Sequence, residues 1–227
     1  MDLLPGVKIV DTVGFRNRPP YSMNVLLVEG GPGDYMLLDT GTPGNASNIL
    51  NFLKRENVEP GALKSIVITH VHADHCGSGK EIKSATNAKV MAHEVEIPFI
   101  EGEEVYPQKN GMEREVAFEP FSVEVGLKDG DWLDYLGGLQ VIHTPGHTPG
   151  HIVLYSPSKR ILFCADLLGN VEDMLKPPPD YYTLDIPELN RSIKQVAELD
   201  FDILIPYHGL PIMSNGRDRV RKVASNL

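Results

Sequence analysis

A chain of 227 residues, 41% hydrophobic and 23% charged, can bury a sizeable core and has the composition of a globular protein. Its formal net charge of −10 argues against nucleic-acid partners, which draw on Lys and Arg to neutralise phosphates. Two cysteines, Cys76 and Cys164, give no disulfide framework, and with no leader-like start and no run near the roughly 18–20 apolar residues of a membrane span, a cytoplasmic, membrane-free chain is expected.

Residues 7–13, 24–29 and 35–39 read as strands, with Gly30-Gly31-Pro32-Gly33-Asp34 as a hairpin turn. Residues 45–56 have helical periodicity, placing Ile49, Leu50 and Leu53 on one face. The apolar run Ser65-Ile66-Val67-Ile68 predicts a buried strand, followed by a helix near 78–84 and a strand over 88–92. Residues 94–120 are acidic and irregular, and are expected to form a surface helix and loop, or a lid. Strands return over 121–125, 131–133, 139–143, 151–155 and 160–164. A Pro-rich loop over 174–187 precedes a helix near 188–199, a strand over 202–206 and a last helix from Gly216. Arg217, Arg219, Arg221 and Lys222 suit the solvated face and C-terminal end of that helix. Two β-rich halves, each followed by helices, predict two packed sheets covered outside by helices, in one domain over residues 1–227.

The segment Thr69-His70-Val71-His72-Ala73-Asp74-His75 carries the strongest chemical signal, since three of the chain's eight histidines fall in it. His70 and His72, two apart on extended backbone, point to the same side, and Asp74 and His75 follow after the turn. Neutral imidazole and carboxylate are the donors that hold zinc and related divalent ions. A polar loop that happens to be His-rich is the bland account, and it fits one or two histidines better than three. The remaining candidate ligands also follow strands. His147 lies on the turn-rich stretch His143-Thr144-Pro145-Gly146-His147-Thr148-Pro149-Gly150-His151, Asp166 just after 160–164 and His208 just after 202–206. His143 and His151 are expected to be structural, bonded to backbone, and His93 to cap a strand or lie near a pocket mouth. Cys76 and Cys164 read as small buried residues.

These motifs resemble the metallo-β-lactamase superfamily, with five in the family's order. They are Asp39, the His-x-His-x-Asp-His run from His70 to His75, then His147, Asp166 and His208. The stretch over 143–151 is most similar to the glyoxalase II and lactonase branches. The resemblance implies an α/β fold, a four-layer αβ/βα sandwich of two mixed sheets flanked by helices. It also implies two divalent metal ions, zinc first, with iron or manganese as alternatives. His70, His72 and His147 would hold one ion and Asp74, His75 and His208 the other, with Asp166 bridging. Asp39 would orient a ligand through a hydrogen bond. The implied activity is hydrolysis of an ester, lactone or thioester by a hydroxide bridging the metals, with Asp74 orienting that nucleophile and taking its proton.

Within the superfamily, glyoxalase II enzymes carry a basic helical extension, which is not seen in the roughly twenty residues after His208. Many quorum-quenching lactonases place a tyrosine soon after the bridging aspartate, where this chain has Leu167-Leu168-Gly169-Asn170. A promiscuous lactonase-esterase acting on a small-molecule substrate requires neither feature. Tyr181 and Tyr182, on the Pro-rich loop after Asp166, are the candidate substrate-binding residues. Persulfide dioxygenases resemble the same motifs but use one iron, on residues matching His70, His147 and Asp166. A glyoxalase II-like thioesterase or a phosphoesterase is a further alternative. The oligomeric state is left open, a homodimer included.

Overall fold

The structure, a computed structural model, describes residues 1–10, 12, 23–107 and 118–227. Among them, one sheet runs β1 (Asp2–Leu4), β2 (Val7–Ile9), β3 (Leu26–Glu29), β4 (Tyr35–Leu38), β5 (Leu63–Ile68), β6 (Lys89–His93) and β7 (Val125–Leu127), side by side in that order. β4 to β7 are mutually parallel, and β1 to β4 pair antiparallel. The second sheet is built from β8 (Trp132–Leu133), β9 (Leu139–His143), β10 (Ile152–Ser156) and β11 (Ile161–Ala165). β12 (Gly169–Val171) and β13 (Met174–Lys176) form a separate hairpin, and β14 (Ile203–Pro206) returns to lie parallel beside β11. Helices α1 (Ala46–Arg55), α2 (Ala73–Cys76), α3 (Gly79–Thr86), α4 (Ile97–Ile100), α5 (Ile186–Val196) and α6 (Gly216–Ala224), with short 3-10 turns at Pro60–Ala62 and Asp180–Tyr182, complete the described elements.

Strand alternation builds the layers. Leu26, Val28, Met36, Leu38 and Val67 face Val141, Leu154, Phe163 and Ile205 of the other sheet, forming the central core. Their neighbours Leu27, Leu37, Ile66 and Ile68 point the opposite way, onto Ile49, Phe52 and Leu53 of α1 and Ile82 of α3. On the far side, Val153, Leu162, Cys164 and Leu204 pack against Leu189, Ile193 and Val196 of α5 and Val220 of α6. Each side chain so buried contributes about 1.5–3 kcal/mol. The result is the four-layer αβ/βα sandwich. Strands buried on both faces read as unbroken apolar runs, which is why β11 and the Ile66–Ile68 end of β5 stand out in the sequence.

β1 and β12 are not among the expected strands, the strand expected over 7–13 ends at Ile9, and two further segments differ from expectation. The strand expected over 121–125 begins only at Val125, because Phe121 is drawn into the helical layer, its ring packed where Gly79 leaves no Cβ. The loop expected over 174–187 opens with β13, paired to β12 across a turn in which Glu172 and Asp173 both have positive φ. That geometry suits a tight hairpin, but Glu-Asp lacks the Asn-Gly signature that advertises it. Asp11 and Val13 of the first expected strand, and residues 108–117 of the expected lid, lie outside the described residues.

Candidate metal centre

The candidate ligands gather where β4, β5, β11 and β14 end and where β9 turns into β10. Asp39 follows β4 with φ of +61°, a left-handed conformation that Asp tolerates better than most residues. Its Oδ1 accepts from the Thr69 amide at 2.8 Å. Its Oδ2 accepts from Thr69 Oγ1 at 2.9 Å and lies 2.8 Å from His75 Nδ1. After His72 the chain enters the single turn α2, which folds Asp74 and His75 back toward the strand end.

Three groups of donor atoms converge, each within 4.8 Å: His70, His72 and His147; His70, His75 and Asp166; and Asp74, His75 and His208. His70 Nε2 is 3.1 Å from His72 Nδ1. Asp166 stands between the groups, with Oδ2 3.6 Å from His147 Nε2 and 3.4 Å from His208 Nε2, and Oδ1 3.4 Å from His75 Nε2. His208 Nε2 is 3.1 Å from Asp74 Oδ2. All seven ligand candidates named from the sequence are therefore brought together.

The two sides differ electrostatically. Burial, reinforced by the neighbouring imidazoles, holds His70 and His147 well below the usual imidazole range, and burial takes His72 down to about 4. These are neutral donors. Burial also disfavours charge on His75, yet Asp39, Asp166 and Asp74 hold it well above its ordinary value. His208, opposed by burial but drawn by Asp166 and Asp74, is raised to about 10. The three carboxylates there favour positive charge, whether on an imidazole or on a bound cation. His75 Nε2, both ring nitrogens of His147 and Asp166 Oδ1 are buried without a hydrogen bond. Each such orphan costs about 1–3 kcal/mol, and inward-facing nitrogens and oxygens are what divalent metals bind, so the donor set fits such ions.

The surrounding shell is built from residues the sequence did not single out. Tyr207 lays its ring 3.8 Å from that of His75 and donates its hydroxyl to the Asp74 carbonyl. Asn24 Nδ2 donates to the carbonyls of Pro206 and Gly209, 2.8 Å each, gripping the loop that bears His208. Gly146, with φ of +125°, lets the His147 loop press against α5, where a Cβ would come 2.1 Å from the Leu189 nitrogen. Glu96, fully buried, accepts from Val71, Thr148 and Gly150, and burial pushes its carboxyl up to about 7 against the pull of those three bonds. In sequence Glu96 is one more acid in an acidic stretch, and nothing there marks it as buried. Tyr106 sets its ring edge-on to His72, 5.5 Å between centroids, with its hydroxyl 3.5 Å from the His147 carbonyl.

The flanking histidines take other partners. His143 Nε2 lies 2.9 Å from the Pro149 carbonyl, and its ring stacks on His93 at 4.1 Å. His151 accepts the Asp166 amide at Nε2, 3.2 Å away, and presents Nδ1 to Thr144 Oγ1 at 2.8 Å. Burial takes His151 down to about 3, so it holds that geometry as a neutral imidazole. Tyr181 and Tyr182 are 55% and 45% exposed, with rings 4.5 Å apart, so the candidate substrate residues face solvent. Just beyond them Leu184 and Asp185 donate to the carbonyls of His147 and Gly146, which tethers this segment beside the cluster.

Two sheets faced by helices, with imidazoles and carboxylates converging where strands end, define an αβ/βα fold bearing a metal-type donor set. The chain belongs to the metallo-beta-lactamase superfamily, whose family model matches residues 18–208. It is 31% identical over 220 residues to a protein of Bacillus subtilis named "Probable metallo-hydrolase YflN", covering 86% of this chain and 83% of that one. It is 32% identical over 128 residues to the hydroxyacylglutathione hydrolase of Ectopseudomonas mendocina, a match spanning 56% of this chain and 40% of the relative. A metallo-beta-lactamase family protein from Thermus thermophilus shares the fold with a TM-score of 0.78 and 24% identity, over 99% of this chain and 80% of that one. No helix among the described residues is long and apolar enough to cross a membrane.

Proposed function

We propose that this chain is a metal-dependent hydrolase that holds two divalent ions, zinc first, and cleaves an ester, lactone or thioester. One observation carries the reading: Asp166 reaches both donor groups, within 3.6 Å of His147 on one side and 3.4 Å of His75 and His208 on the other. His70, His72 and His147 would hold one ion, Asp74, His75 and His208 the second, with Asp166 shared between them. When bound, such ions polarise the scissile carbonyl and make water acidic enough to attack near neutral pH.

The chain's own residues do the rest. Asp39 holds Nδ1 of His75, which turns Nε2 inward. The Asp74 side chain is 29% exposed against 10% for Asp166, so Asp74 is the more accessible of the two carboxylates. Asp74 takes the proton of the attacking water and returns it to the leaving group. The metallo-hydrolase and hydroxyacylglutathione hydrolase relatives support acyl cleavage as the chemistry.

For the substrate, the segment after Asp166 supplies the argument. Pro177, Pro178 and Pro179 stiffen it by fixing φ, Tyr181 and Tyr182 give it an apolar face, and Lys176 is its one cation between residues 167 and 187. An anionic conjugate gains little there and loses hydration. Neutral lactones and simple esters with an apolar tail are therefore the favoured substrates. A panel of lactones, aryl esters and S-lactoylglutathione, run on metal-loaded protein, tests this. Higher kcat/KM on the neutral compounds is expected, and best turnover of the glutathione thioester overturns it.

A further inference from the structure

Glu96 immediately precedes α4, away from every candidate ligand in sequence, yet its carboxylate touches both segments that deliver the three-histidine half of the centre. Oε2 accepts the amide of Val71 at 2.8 Å, and Val71 separates His70 from His72. Oε1 accepts from Thr148 Oγ1 at 2.8 Å and from the Gly150 amide at 2.6 Å, on the loop that bears His147. The approach depends on Gly150, where a Cβ would come 2.7 Å from Glu96 Cγ. The Glu96 backbone is itself fixed, its amide bonded to the His93 carbonyl and its carbonyl receiving the Ile100 amide.

A buried carboxylate whose hydrogen-bond partners are all neutral is costly to keep, and an apolar residue would fill the space more cheaply. The Ile152 amide bonded to the Thr69 carbonyl and the His70 ring beside that of His151 already join these segments, and the carboxylate adds a tie at Val71 itself, between the two ligand histidines, and at the turn that follows His147. The Asp74–His75–His208 half is held by other residues: Asp39 on His75, Tyr207 on the Asp74 backbone and Asn24 on the His208 loop. We propose that Glu96 is the positioning residue for one half of the centre, setting the spacing of His70 and His72 against His147 while leaving the other half alone. This rests on the two-ion reading above.

The test is a metal titration of the whole, metal-depleted chain with zinc against a chromophoric chelator, and with cobalt read by its visible absorption. His147→Ala first marks which binding step belongs to the three-histidine half. Glu96→Gln keeps the size of the side chain, but its amide turns a donor toward a donor at one end of the clasp. It should weaken the marked step about tenfold or more, the usual scale for residues that orient ligands, and leave the other step unchanged. Thr148→Val removes a single arm at nearly constant volume and should shift the same step, while Thr148→Ser should restore it. This pair decides the matter if Glu96→Gln does not fold. Weakening of neither step, of both alike, or of the unmarked step alone overturns the proposal. A parent chain that binds one ion contradicts the two-ion reading instead. The clasp is then judged on that one ion, kept if Glu96→Gln weakens it and overturned if affinity is unchanged.

Discussion

The carboxylate of Asp39 lies 2.8 Å from Nδ1 of His75, on the side of the ring turned away from Asp166. An acceptor there requires a proton on Nδ1, which leaves the Nε2 lone pair for a metal. Asp39→Asn tests this without backbone strain, because Asn also tolerates the positive φ of this position. With its oxygen kept on the Thr69 amide, the Asn nitrogen faces Nδ1 and reverses the tautomer. Metal affinity should fall about 10–100-fold with little change in thermal stability, read by chelator competition and by unfolding of the metal-free protein. Unaltered affinity contradicts the role assigned to Asp39.

Asp166 and Asp74 should separate by the kind of damage each does. Asp166→Ala removes the oxygens that reach both donor groups, so metal content should fall at both positions and little turnover remain. Asp74→Asn should lower kcat more than it raises KM, because the proton carrier is lost while the substrate wall is intact. A pure KM effect in Asp74→Asn contradicts the proton-transfer role.

His93 supplies a pH signature. Burial, then the facing His143 imidazole, push it down to about 4, against the pull of Glu94, Asp129 and Asp131. The unfolded chain takes this proton near about 6.5, whereas the folded chain refuses it until about 4. The stability contributed is therefore complete above the unfolded value and is lost as pH falls through that window. His93→Gln cannot titrate, and should flatten the loss of unfolding free energy between about pH 7 and pH 5. Equal slopes in denaturant titrations of the two proteins contradict the assignment.

Tyr181 and Tyr182 should matter to substrate and not to metal. Replacing either with Ala should lower kcat/KM on lactones while metal content, measured by elemental analysis, stays at the parent value. Parent-like lactone hydrolysis by both variants removes these residues from the substrate wall.

What the sequence makes legible follows from physics that acts locally. β5, β9, β11 and α1 lie within about two residues of expectation because their apolar periodicity is set by neighbours along the chain. The ligand candidates are legible because His and Asp cluster at strand ends with donor chemistry in plain view. The residues that hold them are not. Glu96, Asn24 and Tyr207 act across 25, 182 and 133 residues of chain on the Val71 amide, the Pro206 carbonyl and the Asp74 carbonyl, and each looks ordinary among its sequence neighbours. β7 departs from expectation for a related reason, since Phe121 has strand-like character but fills a gap beside Gly79 in the helical layer.

Elemental analysis of the purified whole chain is the direct measure of a two-ion centre bridged by Asp166. About two divalent ions per chain are expected, zinc foremost. One iron per chain with negligible zinc would contradict it, and the oxygen chemistry that suits iron on His70, His147 and Asp166 would then replace hydrolysis.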